Sequence, residues 1–445
     1  MLRKGALSMK SPASRTSAVI FAVVLLTAVS ACGDDAAPED EAADDATTTT
    51  AAPEIPDRGN VDGVLQVGHL APQTGPMAAI VSSVTEAVRI GVEEINAAGG
   101  VNGEPVELTV ADDGADPAVA ATALDQLIES DGVDAVFGPA TSASALAVID
   151  KIRTAGVLDC SGSATAADLS TVDSGGYFFR TAPPDGFQGP ALAELVLRDD
   201  NARVGIIARN DAYGIGLADS AQEALVASGA AAAGDVIAYD PAGTDFESDV
   251  QALVDQTPDS VILIGFSDDG ARVLRTMIQA GFGPADVPIY TTDGLQTPSL
   301  AAGVDPDDPA VLVGIRGTAP AAVPGGVDSP FYAAFGELGI PPIFSAYYYD
   351  CTMLTVLAAQ AAGTDDAAAM KDAFAGNLAG ETDCNTYADC LAVLEDGGTI
   401  HYRGASASFD EWNGFEPAQG VYDVWSYDET GAPVTGEAED QITIQ

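Results

Sequence analysis

From Val64 onward the chain alternates short apolar runs with longer stretches whose apolar residues recur every three or four positions. The first pattern suits strands and the second suits helices packed on them. Leu65-Gln-Val-Gly-His-Leu70 alternates as a strand does, and Pro72 with the Thr74-Gly-Pro76 turn hands over to a helix. One face of that helix carries Val84, Ala87, Val88, Gly91 and Ile95, and Gly99-Gly100 stops it where left-handed backbone is needed. Pro105 to Val110 follows as a second strand, with the proline at its first position where no ladder donor is lost. Further strands are expected at 134–137, 203–208, 260–265 and 311–315, and helices at 118–129, 142–154, 214–228, 246–256, 269–280 and 348–362. This alternation predicts an α/β fold of parallel sheets covered by helices. No internal repeat is strong enough to use.

The N-terminus has a different pattern. Arg3, Lys4, Lys10 and Arg15 precede the apolar run Ala18 to Leu26, which is too short for a membrane span and reads as a secretory signal over residues 1–31. The run ends in Val29-Ser30-Ala31-Cys32, which resembles a bacterial lipobox and implies that Cys32 becomes a lipidated first residue. Residues 32–60 are rich in Asp, Glu, Ala, Thr and Pro without apolar periodicity, the composition of a disordered tether. A lipid on Cys32 would be the only contact with the bilayer, holding the folded part at the outer face of the cell membrane.

Composition narrows the partners. About 385 residues follow the tether, enough for two domains. The formal charge is -50 and, without the four basic residues of the signal, -54; Lys151 and Lys371 are the only lysines beyond it. Nucleic acid is thereby excluded as a partner. An exported chain permits disulfides, and the short Cys384 to Cys390 loop favours a local bridge, whereas Cys160 and Cys351 are left open between a pair and buried thiols. Enzyme classes fare poorly. The two histidines, His69 within the first strand and His401 near the end, stand apart, and no GxSxG elbow, Walker loop or GxGxxG is present. His69 reads as a packed or turn-facing residue. The carboxylates are dispersed, so neither a metal nor another cofactor is called for.

Two turns carry binding chemistry. Gly138-Pro-Ala-Thr-Ser142 follows a strand and opens a helix, with Ser142 as the expected N-cap, so its amides and hydroxyls can receive an anionic group. Ser161-Gly-Ser-Ala-Thr165 offers hydroxyls and exposed amides in the same way.

The stretch from Thr74 to Pro117, with INAAGGVNG at the helix exit and DDGADP after the second strand, resembles the type I periplasmic solute-binding proteins of branched-chain amino acid ABC transporters. Six further segments stand in family order: FGPATSASALAV, SGSATAADL, FRTAPPDGFQGPALAEL, DAYGIGLADSAQEAL, DPAGTDFESDV and IYTTDGL. The resemblance covers Leu65 to about Tyr427. It implies two α/β lobes, each a parallel sheet flanked by helices, joined by three crossovers near 180–183, 317–320 and 409–414, with the ligand in the cleft between them. Lobe 1 would hold 61–183 and 319–410, and lobe 2 184–318 and 411–445.

By the same resemblance, Ser142 and Thr165 bond a ligand α-carboxylate and α-amino group through their side chains, and Ser163 does so mainly through its backbone. Asp293 matches the acid that pairs with the ligand ammonium, Phe266 lies where an aromatic flanks it, and Tyr213 resembles the aromatic that closes over the ligand. Ile80, where many relatives carry an aromatic residue, would line the side-chain pocket with Ala140, Thr141 and Phe344. The implied function is non-enzymatic: a monomeric lipoprotein that captures a branched-chain or similar apolar amino acid by cleft closure and delivers it to a membrane permease. An amide, urea-like or small organic acid ligand, or a sensing role at a receptor, is the alternative.

Overall fold

The computed structural model describes residues 61–199, 201, 203–321, 329–410 and 412–445. The expected signal, the lipidated Cys32 and the tether lie outside the described residues. The chain opens with β1 (Gln66–Ala71), α1 (Val81–Ala97), β2 (Glu107–Asp112), α2 (Pro117–Glu129), β3 (Ala135–Phe137), α3 (Ser142–Ala155), β4 (Leu158–Ser161) and β5 (Phe178–Arg180). Their strands form an all-parallel sheet in the order β2-β1-β3-β4-β5. β3 and β4 are buried along their whole length, as central strands covered on both faces must be, while β2 at the edge is partly exposed. Local chemistry sets the helix ends. Asp116 accepts from the amides of Ala118 and Val119 to start α2, with Pro117 at its first position, and Gly156 at φ +64° closes α3.

α4 (Asp185–Arg198) takes the chain to a second sheet built from β6 (Arg203–Arg209), α5 (Ala212–Ala227), β7 (Ala231–Ala232), β8 (Ile237–Tyr239), α6 (Glu247–Asp255), β9 (Ser260–Ile264), α7 (Ser267–Gln279), β10 (Ile289–Thr291), α8 (Ser299–Val304) and β11 (Ile315–Pro320). Next come α9 (Pro330–Gly336), α10 (Ser345–Ala362), α11 (Ala367–Phe374), β12 (Thr382–Cys384), α12 (Tyr387–Glu395) and β13 (Ile400–Tyr402). β14 (Gly420–Tyr427), β15 (Pro433–Thr435) and β16 (Ile442–Ile444) complete the second sheet, ordered β15-β14-β11-β10-β9-β6-β7, with β8 also on β6 and β16 on β14. Its centre is parallel, but β14 to β16 pair antiparallel at one edge, which the apolar runs did not reveal.

One expected strand is displaced. Residues 311–315 were to be a strand, yet Pro309–Leu312 forms a 3-10 turn and β11 begins only at Ile315. Gly314, at φ +100°, turns the chain into the strand, so Leu312 plugs the core from outside the sheet.

α10 is the central beam of the first half. Every residue from Ser345 to Ala359 is buried, so the helix is packed all round against α1, α11, α12 and the strands β3 and β4. Cys351 on α10 is bonded to Cys160 on β4, 191 residues earlier in the chain, and Cys384 to Cys390 forms the expected local bridge. Tyr348 of the same helix meets His69 edge-on at 5.4 Å between ring centroids. His69 is packed as expected: Nδ1 lies 3.0 Å from the Phe137 carbonyl, and burial lowers its pKa to about 4.

The first half also buries two acids of contrasting character. Asp350 on α10 accepts from the Tyr402 hydroxyl at 2.7 Å, the Ala405 amide at 2.9 Å and both the amide and hydroxyl of Ser406. Asp159 on β4 is fully buried and neither carboxylate oxygen has a hydrogen-bond partner. Burial alone raises its pKa well above the ordinary carboxylate value, so it sits in the core as a neutral acid.

Two outcomes follow. Since the folded pKa of Asp159 exceeds the unfolded value of about 3.9, folding takes up a proton; the stability this confers is complete below that value and is lost as pH rises toward the folded pKa. Asp159→Asn should therefore raise the melting temperature at neutral pH, by about 1–3 kcal/mol in stability, and flatten that pH slope in thermal scans. Opening the long-range bridge by Cys160→Ala with Cys351→Ala should lower the melting temperature, with loop entropy setting roughly 5 kcal/mol as the upper bound.

Candidate functional site

The two turns of the first sheet lie side by side at the C-terminal ends of β3 and β4 and brace each other. Ser161 Oγ donates to the Pro139 carbonyl at 2.9 Å and Ser163 Oγ to the Ala140 carbonyl at 2.8 Å. In return, Ser142 Oγ accepts from the amides of Thr165 and Ala166 at 3.2 and 3.0 Å. Ser142 is therefore not the N-cap of α3. That role belongs to Thr141, whose hydroxyl accepts from the Ser144 amide, because the extended residue before the first helical turn is the one placed to cap it. Gly138, at φ +109°, could not be another residue: a Cβ there would lie 2.4 Å from the Leu70 carbonyl oxygen. Asp113, beyond β2, holds the turn from behind by accepting from the Ala140 amide at 2.9 Å.

On the second sheet the corresponding ends gather Tyr213, Phe266 and Asp293. Asp211 starts α5 by accepting from the Gly214 amide, which sets Tyr213 in the first turn. The Tyr213 hydroxyl bonds Thr292 Oγ1 at 2.7 Å and donates to Asp293 Oδ1 at 3.1 Å, and its ring stacks on Phe266 with centroids 5.3 Å apart. Phe266 is not a free cation-binding ring. The Arg209 guanidinium lies 3.7 Å from its centroid, held by Asp211 and Asp269, so a cation of the protein already occupies one face of the ring.

Asp293 itself is buried and receives 2.7 Å from Gln188 Nε2 besides the Tyr213 bond. Among the described residues no cation pairs with it. Burial pushes its pKa up to about 6 against the pull of those two donors.

Asp293 and Phe344 share one cavity of about 100 Å³, walled by Pro341, Pro342 and Ile343 and bounded across by Ala319, Pro320 and Asp423. Ile80 is elsewhere: it ends the 3-10 turn before α1 and is buried in the core, outside the lining of that cavity, as are Ala140 and Thr141. Just ahead of it, the Pro76 carbonyl accepts from Ser267 Oγ at 3.1 Å, a bond from α7 of the second sheet to the β1–α1 turn of the first. The two walls therefore touch at this mouth.

Three residues of the site escaped the sequence reading: Arg209, Asp185 and Gln188. Arg209 ends β6 two positions before the Asp211 cap, and Asp185 and Gln188 stand one helical turn apart at the start of α4. The spacing of the last pair was the available signal.

The Periplasmic binding protein family model matches residues 64–378. A Leu/Ile/Val-binding protein homolog 3 of Brucella melitensis is 34% identical over 221 residues, 49% of this chain and 58% of that protein. The Leu/Ile/Val-binding protein BraC3 of Rhizobium johnstonii is 34% identical over 245 residues, 54% of this chain and 65% of that one. The matched stretch thus spans less than two thirds of the length of these relatives. In three dimensions the chain is similar to the leucine binding protein LivK of Thermotoga maritima, with a TM-score of 0.70, 21% identity, and 84% of this chain and 98% of that one covered. Two helix-covered sheets, polar turns at strand ends and a family match across most of the length lead to one conclusion: the chain belongs to the periplasmic binding protein family.

Proposed function

We propose that this protein is the substrate-binding component of an ABC importer and captures an amino acid with a branched or similar apolar side chain. The observation that carries the reading is Asp293: a buried carboxylate bonded only by neutral donors, opening on an apolar cavity. A carboxylate in that state lacks a counter-charge, and a ligand ammonium supplies it. The turns at 138–142 and 161–165 offer amides and hydroxyls to the ligand carboxylate, with Ser142, Ser163 and Thr165 as its contacts. Pro341, Pro342, Ile343 and Phe344 form an apolar wall suited to an aliphatic side chain. Two lobes, 61–183 with 319–410 and 184–318 with 411–445, close over the ligand, and the Ser267 to Pro76 bond belongs to the closed state. Lipidation at Cys32 would tether the protein outside the cell membrane beside its permease, as a monomer. The relatives' names support the amino acid assignment.

Isothermal titration with leucine, isoleucine and valine tests this. Asp293→Asn should weaken binding about 10- to 100-fold, the loss of one charge-assisted contact. Affinity for the wild type should also fall as pH drops through about 6, because protonation of Asp293 removes the charge that the ammonium seeks. An Asn variant with unchanged affinity would remove the ammonium from the model.

A further inference from the structure

Behind Asp293, the first turn of α4 carries acceptors that nothing satisfies. Asp185 is fully buried, and its amide donates to the Thr165 carbonyl at 2.8 Å, which fixes it against the second polar turn of the first sheet. Among the described residues, neither of its carboxylate oxygens has a hydrogen-bond partner. Three residues on, Gln188 Nε2 donates to Asp293 Oδ1 at 2.7 Å and to the Thr318 carbonyl at 3.1 Å. Both of those atoms are acceptors, so the amide has one possible orientation. Its Oε1 is left buried with no partner.

Three buried acceptor oxygens therefore stand without a hydrogen-bond partner among the described residues, beside a second carboxylate, Asp293, that has two neutral donors and no cation. Each unmet acceptor costs about 1–3 kcal/mol, which a bound donor would relieve. The neighbouring cation and phenols are engaged elsewhere. Arg180, the nearest cation, gives Nε to Glu416 at 2.7 Å, one terminal nitrogen to the carbonyls of Ala164 and Ala166, and the other to Ser170 and Glu416. The Tyr422 hydroxyl points to the Pro184 carbonyl and the Tyr213 hydroxyl to Thr292 and Asp293. Thr165 lies close enough to soften the Asp185 carboxylate but closes no bond of ordinary geometry with it. Water would satisfy the acceptors but not the charge. A compact cation with three N–H donors does both.

We propose that Asp185 and Gln188 join Asp293 as a two-carboxylate seat for the ligand's primary ammonium group, and that entry of the ammonium expels a proton held by the carboxylate pair. This rests on the reading of the ligand as an amine-bearing molecule. Burial, then repulsion from Asp293, holds Asp185 up to about 8, while Asp293 stands near 6. The other charged or titratable groups facing Asp185 are Arg180, Asp211, Tyr213 and Tyr422. At pH 7 the empty pair thus keeps one proton on Asp185, which passes to the buffer as the ammonium replaces it. A primary ammonium brings three N–H donors to these acceptors. A quaternary ammonium, with no N–H, brings none.

The test uses the full chain at pH 7. Leucine is titrated calorimetrically into wild type and Asp185→Asn in two buffers of different ionisation enthalpy, and melting temperatures are read in methylammonium against tetramethylammonium at equal ionic strength. Wild type should release a proton on binding leucine and gain melting temperature in methylammonium only. Asp185→Asn should bind leucine at least tenfold more weakly, release no proton and gain nothing from methylammonium, while its empty form melts no lower than wild type. Should the Asn variant fail to fold, Asp185→Ser carries the same comparison. Leucine binding by Asp185→Asn at wild-type affinity, with Asp293→Asn crippled, overturns the seat and leaves the amino acid reading standing. Methylammonium protection of wild type but not Asp185→Asn, without leucine binding, supports the seat and removes the branched-chain ligand. Absence of both responses in wild type overturns both.

Discussion

A carboxylate taken out of water must be neutralised, and in a chain of formal charge -50 with few basic residues that requirement shapes the interior. The structure meets it in three ways. Backbone amides and hydroxyls surround Asp350, which thereby holds the 405–406 loop to α10, and amides around Asp113 hold the Ala140 turn. Arg209 faces Asp269 across the base of the Phe266 ring, and Arg180 faces Glu416 where the chain returns toward β14. Asp159 keeps its proton. Asp185 and Asp293 have none of these remedies in full, and they lie where the two sheets meet. The stability deficit is thereby concentrated at one place.

The fold puts them there for topological reasons. Parallel strands send their C-terminal ends in one direction, so the turns after β3 and β4 and those after β6, β9 and β10 collect on the facing rims of two sheets. α4 starts between those rims. Its first residue bonds the Thr165 carbonyl and its fourth bonds Asp293, which makes one helical turn the link between both walls.

Much of this was legible in the sequence, where the physics is local. The helix starting at Val81 showed its buried face through Val84, Ala87, Val88, Gly91 and Ile95, and the expected spans 118–129 and 142–154 match α2 and α3 within a residue. The polar turns were legible as loci because hydroxyls and glycines cluster there. Long-range pairing was not. That Ser142 caps the neighbouring turn and not its own helix, or that β14 lies antiparallel beside β11 after a gap of about a hundred residues, depends on contacts no window of sequence contains. Arg209 was hidden for the same reason: its role is defined by Phe266, brought beside it only when β6 and β9 pair.

The aromatic wall then takes on a different meaning. A Phe at 266 suggested a cation-π surface for the ligand, but Arg209 occupies one face of the ring and is itself neutralised by Asp211 and Asp269. The ring therefore serves as a spacer that keeps a buried guanidinium in place and sets the height of Tyr213, whose hydroxyl reaches Asp293. With that face taken, attraction for a positive group falls mainly to carboxylates. Carboxylates without a local cation are the stronger attractor in a dry site, since charge meets charge at hydrogen-bond distance and not across a π face. The same arrangement makes Ile80 less decisive than its position in the chain suggests: it packs in the core, and the apolar wall beside Asp293 comes from Pro341, Pro342, Ile343 and Phe344 instead.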